Sequence, residues 1–193
     1  DVSRAERVIA TVLAHQDRDE ASPTWGVWPY QPEEPLAAMR PPDLNWACFL
    51  GTAMLDIRVA GGARLSGATR AALDDAVGRA ARAAQRRAVG PAYTNIAIMS
   101  AGLCLLAGHD LGDEALREHG RERLLAVAAR VEALGGFDEY NSPTYTTVTI
   151  VELSRLRCRL EDAAASPAVE FLHQRAWAEL ADHFHASTVM WAG

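Results

Sequence analysis

Three stretches of this chain are apolar around most of their circumference, and they begin at Asn45, Asn95 and Tyr145, 50 residues apart each time. A helix with no polar face has to be covered on every side. The stretches predict inner helices near 45–60, 93–107 and 145–160, the first stopping at Gly61-Gly62 and the second at Gly108. Each is followed by a charged partner, near 66–87, 112–134 and 167–185. These partners carry apolar residues at helical spacing, such as Ala72, Leu73, Ala76, Val77 and Ala80, or Leu116, Leu124, Val127 and Val131. Ser66 reads as an N-cap, as does Ser166 ahead of Pro167. A repeat of this period means stacked helical hairpins. The expected fold is therefore all-α, repeated hairpins forming an arc or part of an α/α toroid within one domain over 1–193. About three and a half hairpins are too few for a closed ring of six, so either the arc is open or the chain is part of a longer protein.

Before the repeat, residues 3–17 form an amphipathic pattern with Val8, Val12 and Leu13 on one side. From Arg18 to Asp43 six prolines stand beside Trp25, Trp28 and Tyr30, a composition that cannot stay helical and whose aromatics argue for a packed loop.

Composition narrows the chemistry. The chain holds no lysine, which removes the P-loop lysine, the Schiff-base lysine and any lysine base. At net charge −6, with arginines scattered among carboxylates, it has no basic stripe for phosphates, so nucleic acid is not an expected partner. No apolar run reaches the roughly 18 residues of a membrane span, and no membrane partner is expected. Cys48, Cys104 and Cys158 lack metal-ligand spacing and read as buried free thiols. His183 and His185 are two apart and cannot share a metal on one helix, so neither a metal nor a cofactor is expected. The compartment stays open, with secreted or periplasmic ahead of cytoplasmic.

The phrase FDEYNSPTY before an inner helix, the YTNIAIM helix and the terminal HFHASTVMWAG resemble the hairpin-toroid proteins grouped around six-hairpin glycosidases and toroid polysaccharide lyases. The resemblance runs from about Trp25 to Gly193, by pattern more than identity, and only EYNSPTY is specific. It implies a carbohydrate-active protein acting on an acidic polysaccharide or oligosaccharide. It also implies further hairpins, the remainder of a longer chain, completing the catalytic rim.

Within that frame, a lyase acting on uronate polymers needs a neutraliser for the carboxylate, a base for the proton α to it, and an acid for the departing oxygen. Asn141 suits the first role and Tyr145 or Tyr140 the others. The same residues also make a good turn and helix start, with Ser142 or Thr144 capping and Pro143 fixing the turn. Glu139, beside Asp138, offers the alternative of glycoside hydrolysis. That reaction takes a second carboxylate from elsewhere, with Glu33, Glu34 and Asp43 as candidates. A non-catalytic helical-repeat binding module is the third reading. Trp25, Trp28, Tyr30 and Trp46 suit stacking against sugar rings or pinning the proline-rich loop. Trp25 or Trp28 is expected near the Glu139–Tyr145 loop. Asn45 and Asn95, at matching repeat positions, are candidate substrate-binding or capping residues.

Overall fold

A computed structural model describes residues 1–191; residues 192 and 193, the last two of the HFHASTVMWAG stretch, lie outside the described residues. The chain forms α1 (Val2–Ala14), α2 (Trp46–Gly61), α3 (Gly67–Arg87), α4 (Thr94–Leu111), α5 (Glu114–Leu134), α6 (Pro143–Arg159) and α7 (Ser166–His183). A two-strand ribbon follows, β1 (Phe184–His185) pairing antiparallel with β2 (Met190–Trp191).

The fold is all-α and built of helical hairpins in two layers. α2, α4 and α6 lie side by side, α3, α5 and α7 cover them, and α1 packs on α3. α4 is the centre, with every residue from Thr94 to Gly108 buried. Its small residues let neighbours come close. Gly51 of α2 sits against Leu103 and Ala80, Gly102 meets Leu156 of α6, and Gly120 of α5 lies against the backbone at Ala101 and Leu105. The inward residues of the outer layer, Leu73, Leu116, Leu124 and Val127, are at most 1 % exposed, as amphipathic outer helices require.

The C-terminal halves of the inner helices are tied by charge. Asp56 of α2 accepts from Arg155 of α6 at 2.9 Å and also meets Arg159, while Asp110 of α4 pairs with Arg159 at 3.1 Å and with Arg58. Arg58 further reaches Asp74, and Arg155 reaches the buried Glu152. One exposed pair contributes little. Here the pairs are half-buried and linked across three helices, so they fix the spacing of the inner layer at this pole.

Several local expectations are corrected. In α1 the buried residues are Ile9 and Leu13, while Val8 is 55 % exposed. Ala72 also faces outward. The second inner helix runs through Gly108 to a left-handed Gly112, because Gly108 is where α5 begins its close approach: a Cβ there would meet Arg117 N at 2.7 Å. Ser166 is inside α7 rather than capping it. Ala165 occupies the N-cap position without a side-chain cap, and Asp162 holds the turn ahead of it, accepting from the N–H groups of Ala164 and Ala165 at 3.1 Å. Cys158 is exposed, whereas Cys48 and Cys104 are buried. The proline-rich segment packs as expected, with Trp28 2 % exposed and its indole donating to Val12 O at 2.9 Å.

Candidate functional site

The other pole of the inner layer, where α2, α4 and α6 begin, holds no comparable lattice. Its polar groups come from three successive loops. At the α2 end, Asn45 occupies the N-cap position but makes no capping bond. Instead it accepts from Arg87 and donates to Tyr93 Oη at 3.2 Å, joining the first hairpin to the loop ahead of α4. Trp46 stands next to it, with its ring 5.0 Å from that of Tyr30 in an edge arrangement and 5.6 Å from Phe49.

At the α4 end, Tyr93 supplies no side-chain cap, and Glu139 does so from across the rim by accepting from Asn95 N–H at 2.8 Å. The positive end of α4 favours the carboxylate, yet burial outweighs it and holds the Glu139 carboxyl above the ordinary range. Asn95 is 1 % exposed and turns its own Oδ1 onto Ile96 N–H. It is a buried element of the helix start with no surface for a ligand.

The Gly135–Ser142 loop is shaped from three sides. Arg130 clamps Asp138, with Nε donating at 2.6 Å, and turns that carboxylate into a structural partner held below its ordinary pKa. Glu179 of α7 faces the backbone N–H groups of Phe137 and Asn141, while burial keeps its carboxyl raised. Asn141 adopts a left-handed conformation, φ +56°, which asparagine tolerates better than most residues. Its Oδ1 accepts from Trp191 Nε1 at 2.8 Å, and the Trp191 ring stacks on His183 with centroids 4.9 Å apart. Ser142 caps α6 through Tyr145 N–H, so the turn-and-cap role is real here.

These contacts bring Glu139 and Tyr145 to one small cleft of about 10 Å³, room for a single water, with Thr94, Phe137, Thr146 and Thr149. Tyr145 is 46 % exposed and Tyr140 71 %, so both hydroxyls are open to solvent. Asn141 belongs to the same loop. Trp46 is at the α2 end of the rim. Trp25 and Trp28 are elsewhere: Trp25 lies against α3 beneath Arg86 and Trp28 lies under α1, neither beside Glu139 or Tyr145. The expected proximity of these two tryptophans to the loop therefore does not hold. Their large apolar surfaces are spent anchoring the proline-rich segment.

The sequence does not single out Arg87, Tyr93 or Glu179, and it ranks Trp191 behind Trp25, Trp28 and Trp46 for stacking on a sugar. The Asn45 and Asn95 register pointed to the right pole, and the four-residue spacing of Glu179 and His183 was visible. Nothing local marks Arg87 or Trp191, whose partners are 42 and 50 residues away. Among the described residues no group of three His, Cys, Asp or Glu gathers to hold a metal ion, and no helix is long and apolar enough to cross a membrane.

Fold and rim together define an α-helical hairpin array whose inner layer is locked by ion pairs at one pole and presents tyrosine, asparagine and glutamate side chains at the other. Over residues 1–193 the chain belongs to the family described as Domain of unknown function (DUF8769). No curated protein and no solved structure matches it.

Proposed function

We propose that this rim acts on a carbohydrate, and specifically that it cleaves a uronate-containing glycan by β-elimination in the manner of the toroid lyases that EYNSPTY resembles. The observation that carries the reading is the shared cleft of Tyr145 and Glu139 beside the Asn141 loop. With its Oδ1 occupied by Trp191, Asn141 has its NH₂ left to donate to a substrate carboxylate, which stabilises the negative charge that develops as the α proton leaves. Tyr145, entering the step as its phenolate, takes that proton and delivers it to the departing glycosidic oxygen, the C–O bond breaking as the double bond forms. Tyr140, outside the cleft lining, is the lesser candidate. Trp46 with Tyr30 offers a flat aromatic edge for a neighbouring sugar ring.

Glycoside hydrolysis is the second reading, favoured by the raised Glu139 carboxyl, a property of general acids. Against it, among the described residues no second carboxylate lines the Glu139 cleft, and Asp138 is tied to Arg130. The discriminating experiment incubates the protein with polygalacturonate, alginate and a glucuronan. The lyase reading expects an ultraviolet-absorbing unsaturated uronate. New reducing ends without that absorbance would support the hydrolase, and neither product from any polymer would leave the binding module.

A further inference from the structure

We propose that a pocket separate from the rim cleft, between the proline-rich segment and the last turn of α3, binds a small organic carboxylate through Arg86 and Arg87. The cavity measures about 300 Å³, the lower end of ligand-sized sites. Its apolar wall is Pro23, Val27, Leu44 and Ala83, and its polar wall is the two arginines with Ser22 and Trp25.

The polar wall has donors in excess. No Asp or Glu lines the pocket. Among the described residues neither Arg86 nor Arg87 has a carboxylate within ion-pair distance, whereas Arg58, Arg82, Arg121, Arg130, Arg155 and Arg159 all do. Arg86 lies flat over the Trp25 ring at 4.0 Å, a placement that fixes the guanidinium and keeps its N–H edge available. Arg87 uses one N–H on Asn45 Oδ1 and keeps the rest of its fork. Trp25 is 6 % exposed, and its indole N–H is buried with no acceptor.

Basic residues in a last helical turn also answer the carbonyl dipole. That role requires neither a cavity nor an orphaned donor beside it. A planar carboxylate matches the arginine fork, and the four apolar side chains favour a ligand with a ring or short aliphatic body over a bare inorganic anion. Because Arg87 holds Asn45 and Asn45 holds Tyr93, an anion drawing on Arg87 is two hydrogen bonds from the start of α4.

The test titrates the whole chain with benzoate, glucuronate and inorganic phosphate, following heat and tryptophan fluorescence. At least one carboxylate should bind saturably at a single site in the millimolar range, with Trp25→Phe removing most of the fluorescence change. Arg86→Gln and Arg87→Gln should each weaken binding about tenfold or more, as expected for one charge-assisted hydrogen bond. Arg87→Gln also cuts the Asn45 bond, so its helicity is checked. Among the described residues the Arg86 side chain makes no hydrogen bond or ion pair and stacks on the Trp25 ring, so Arg86→Gln keeps the test decisive if the other variant fails to fold. Absence of saturable carboxylate binding, unchanged affinity in Arg86→Gln, or phosphate binding tighter than both carboxylates overturns the proposal.

Discussion

Replacing Gly120 by alanine places a methyl group where two helix backbones meet. A Cβ at this position lies 2.7 Å from Ala101 O and 2.7 Å from Leu105 N, both backbone atoms of α4, and 2.9 Å from Leu105 Cγ. Ordinary contact starts at 3.4 Å, so α5 has to withdraw by about 0.7 Å, and a backbone cannot swing aside as a long side chain does. The retreat loosens Leu116, Leu124, Val127 and Val131, which pack the most extensive helix pair in the fold. Overpacking costs about 1–3 kcal/mol, and a clash with two backbone atoms falls in the upper part of that range, about 2–3 kcal/mol, while alanine's helix propensity recovers about 1 kcal/mol. The net loss is about 1–2 kcal/mol, or a fall in Tm of about 2–8 °C at this chain length. Gly67→Ala is the control: nothing lies within 4 Å of a Cβ there, so the change should be neutral or stabilising by up to about 1 kcal/mol. Guanidinium unfolding followed by far-ultraviolet circular dichroism measures both. A Gly120→Ala variant as stable as the parent would refute the close α4–α5 packing on which the two-layer description rests.

Two further outcomes follow from buried groups. Asp162 accepts from Arg121 at 2.8 Å and from the N–H of Ala165 in the turn ahead of α7, contacts that hold its carboxyl below the ordinary value of 3.8. Its stabilisation is present in full above that value and is lost as pH falls through the lower folded value. Asp162→Asn should therefore lose about 2 kcal/mol at neutral pH, and its deficit should shrink on acidification below the unfolded carboxyl range; a deficit independent of pH contradicts this. Cys158 should react with a thiol reagent in the native protein, while Cys48, its thiol pushed up to about 12 by burial, and Cys104 should react only on unfolding; mass spectrometry of the labelled peptides checks it.

Layering was legible because apolarity is a local property. The most apolar helices, α2 and α4, proved to be inner ones, whereas α6 takes the third inner place with Tyr145, Val151 and Cys158 left exposed; the 50-residue register placed the three helix starts at one pole. Local signals misled where a tertiary contact outweighed them. Gly108 looked like a stop, yet its missing side chain serves the approach of α5. Ser166 looked like a cap, yet it is the first residue of α7, and its hydroxyl donates back to Asp162 O in a turn that Arg121 ties down through the Asp162 carboxylate. The aromatic residues of the proline-rich segment were identifiable as packed. Which ones face the rim depends on α1 and α3, so Trp46 and Trp25 could not be told apart beforehand. The bonds that shape the candidate site, Trp191 to Asn141 and Arg87 to Asn45, join segments whose neighbourhood exists only after the hairpins stack.

The claim that the rim carries out elimination is tested most directly by the rate of unsaturated-uronate formation in Tyr145→Phe and Asn141→Ala beside the parent chain, with helicity recorded for each. A proton-transfer hydroxyl is worth roughly 10²–10⁴ in rate, whereas an exposed rim hydroxyl costs about 1 kcal/mol of stability at most. Both variants should keep the parent's helical content, Tyr145→Phe should lose at least about a hundredfold in rate, and Asn141→Ala should lose activity on the charged polymer. Parent-level rates in both variants would contradict that claim.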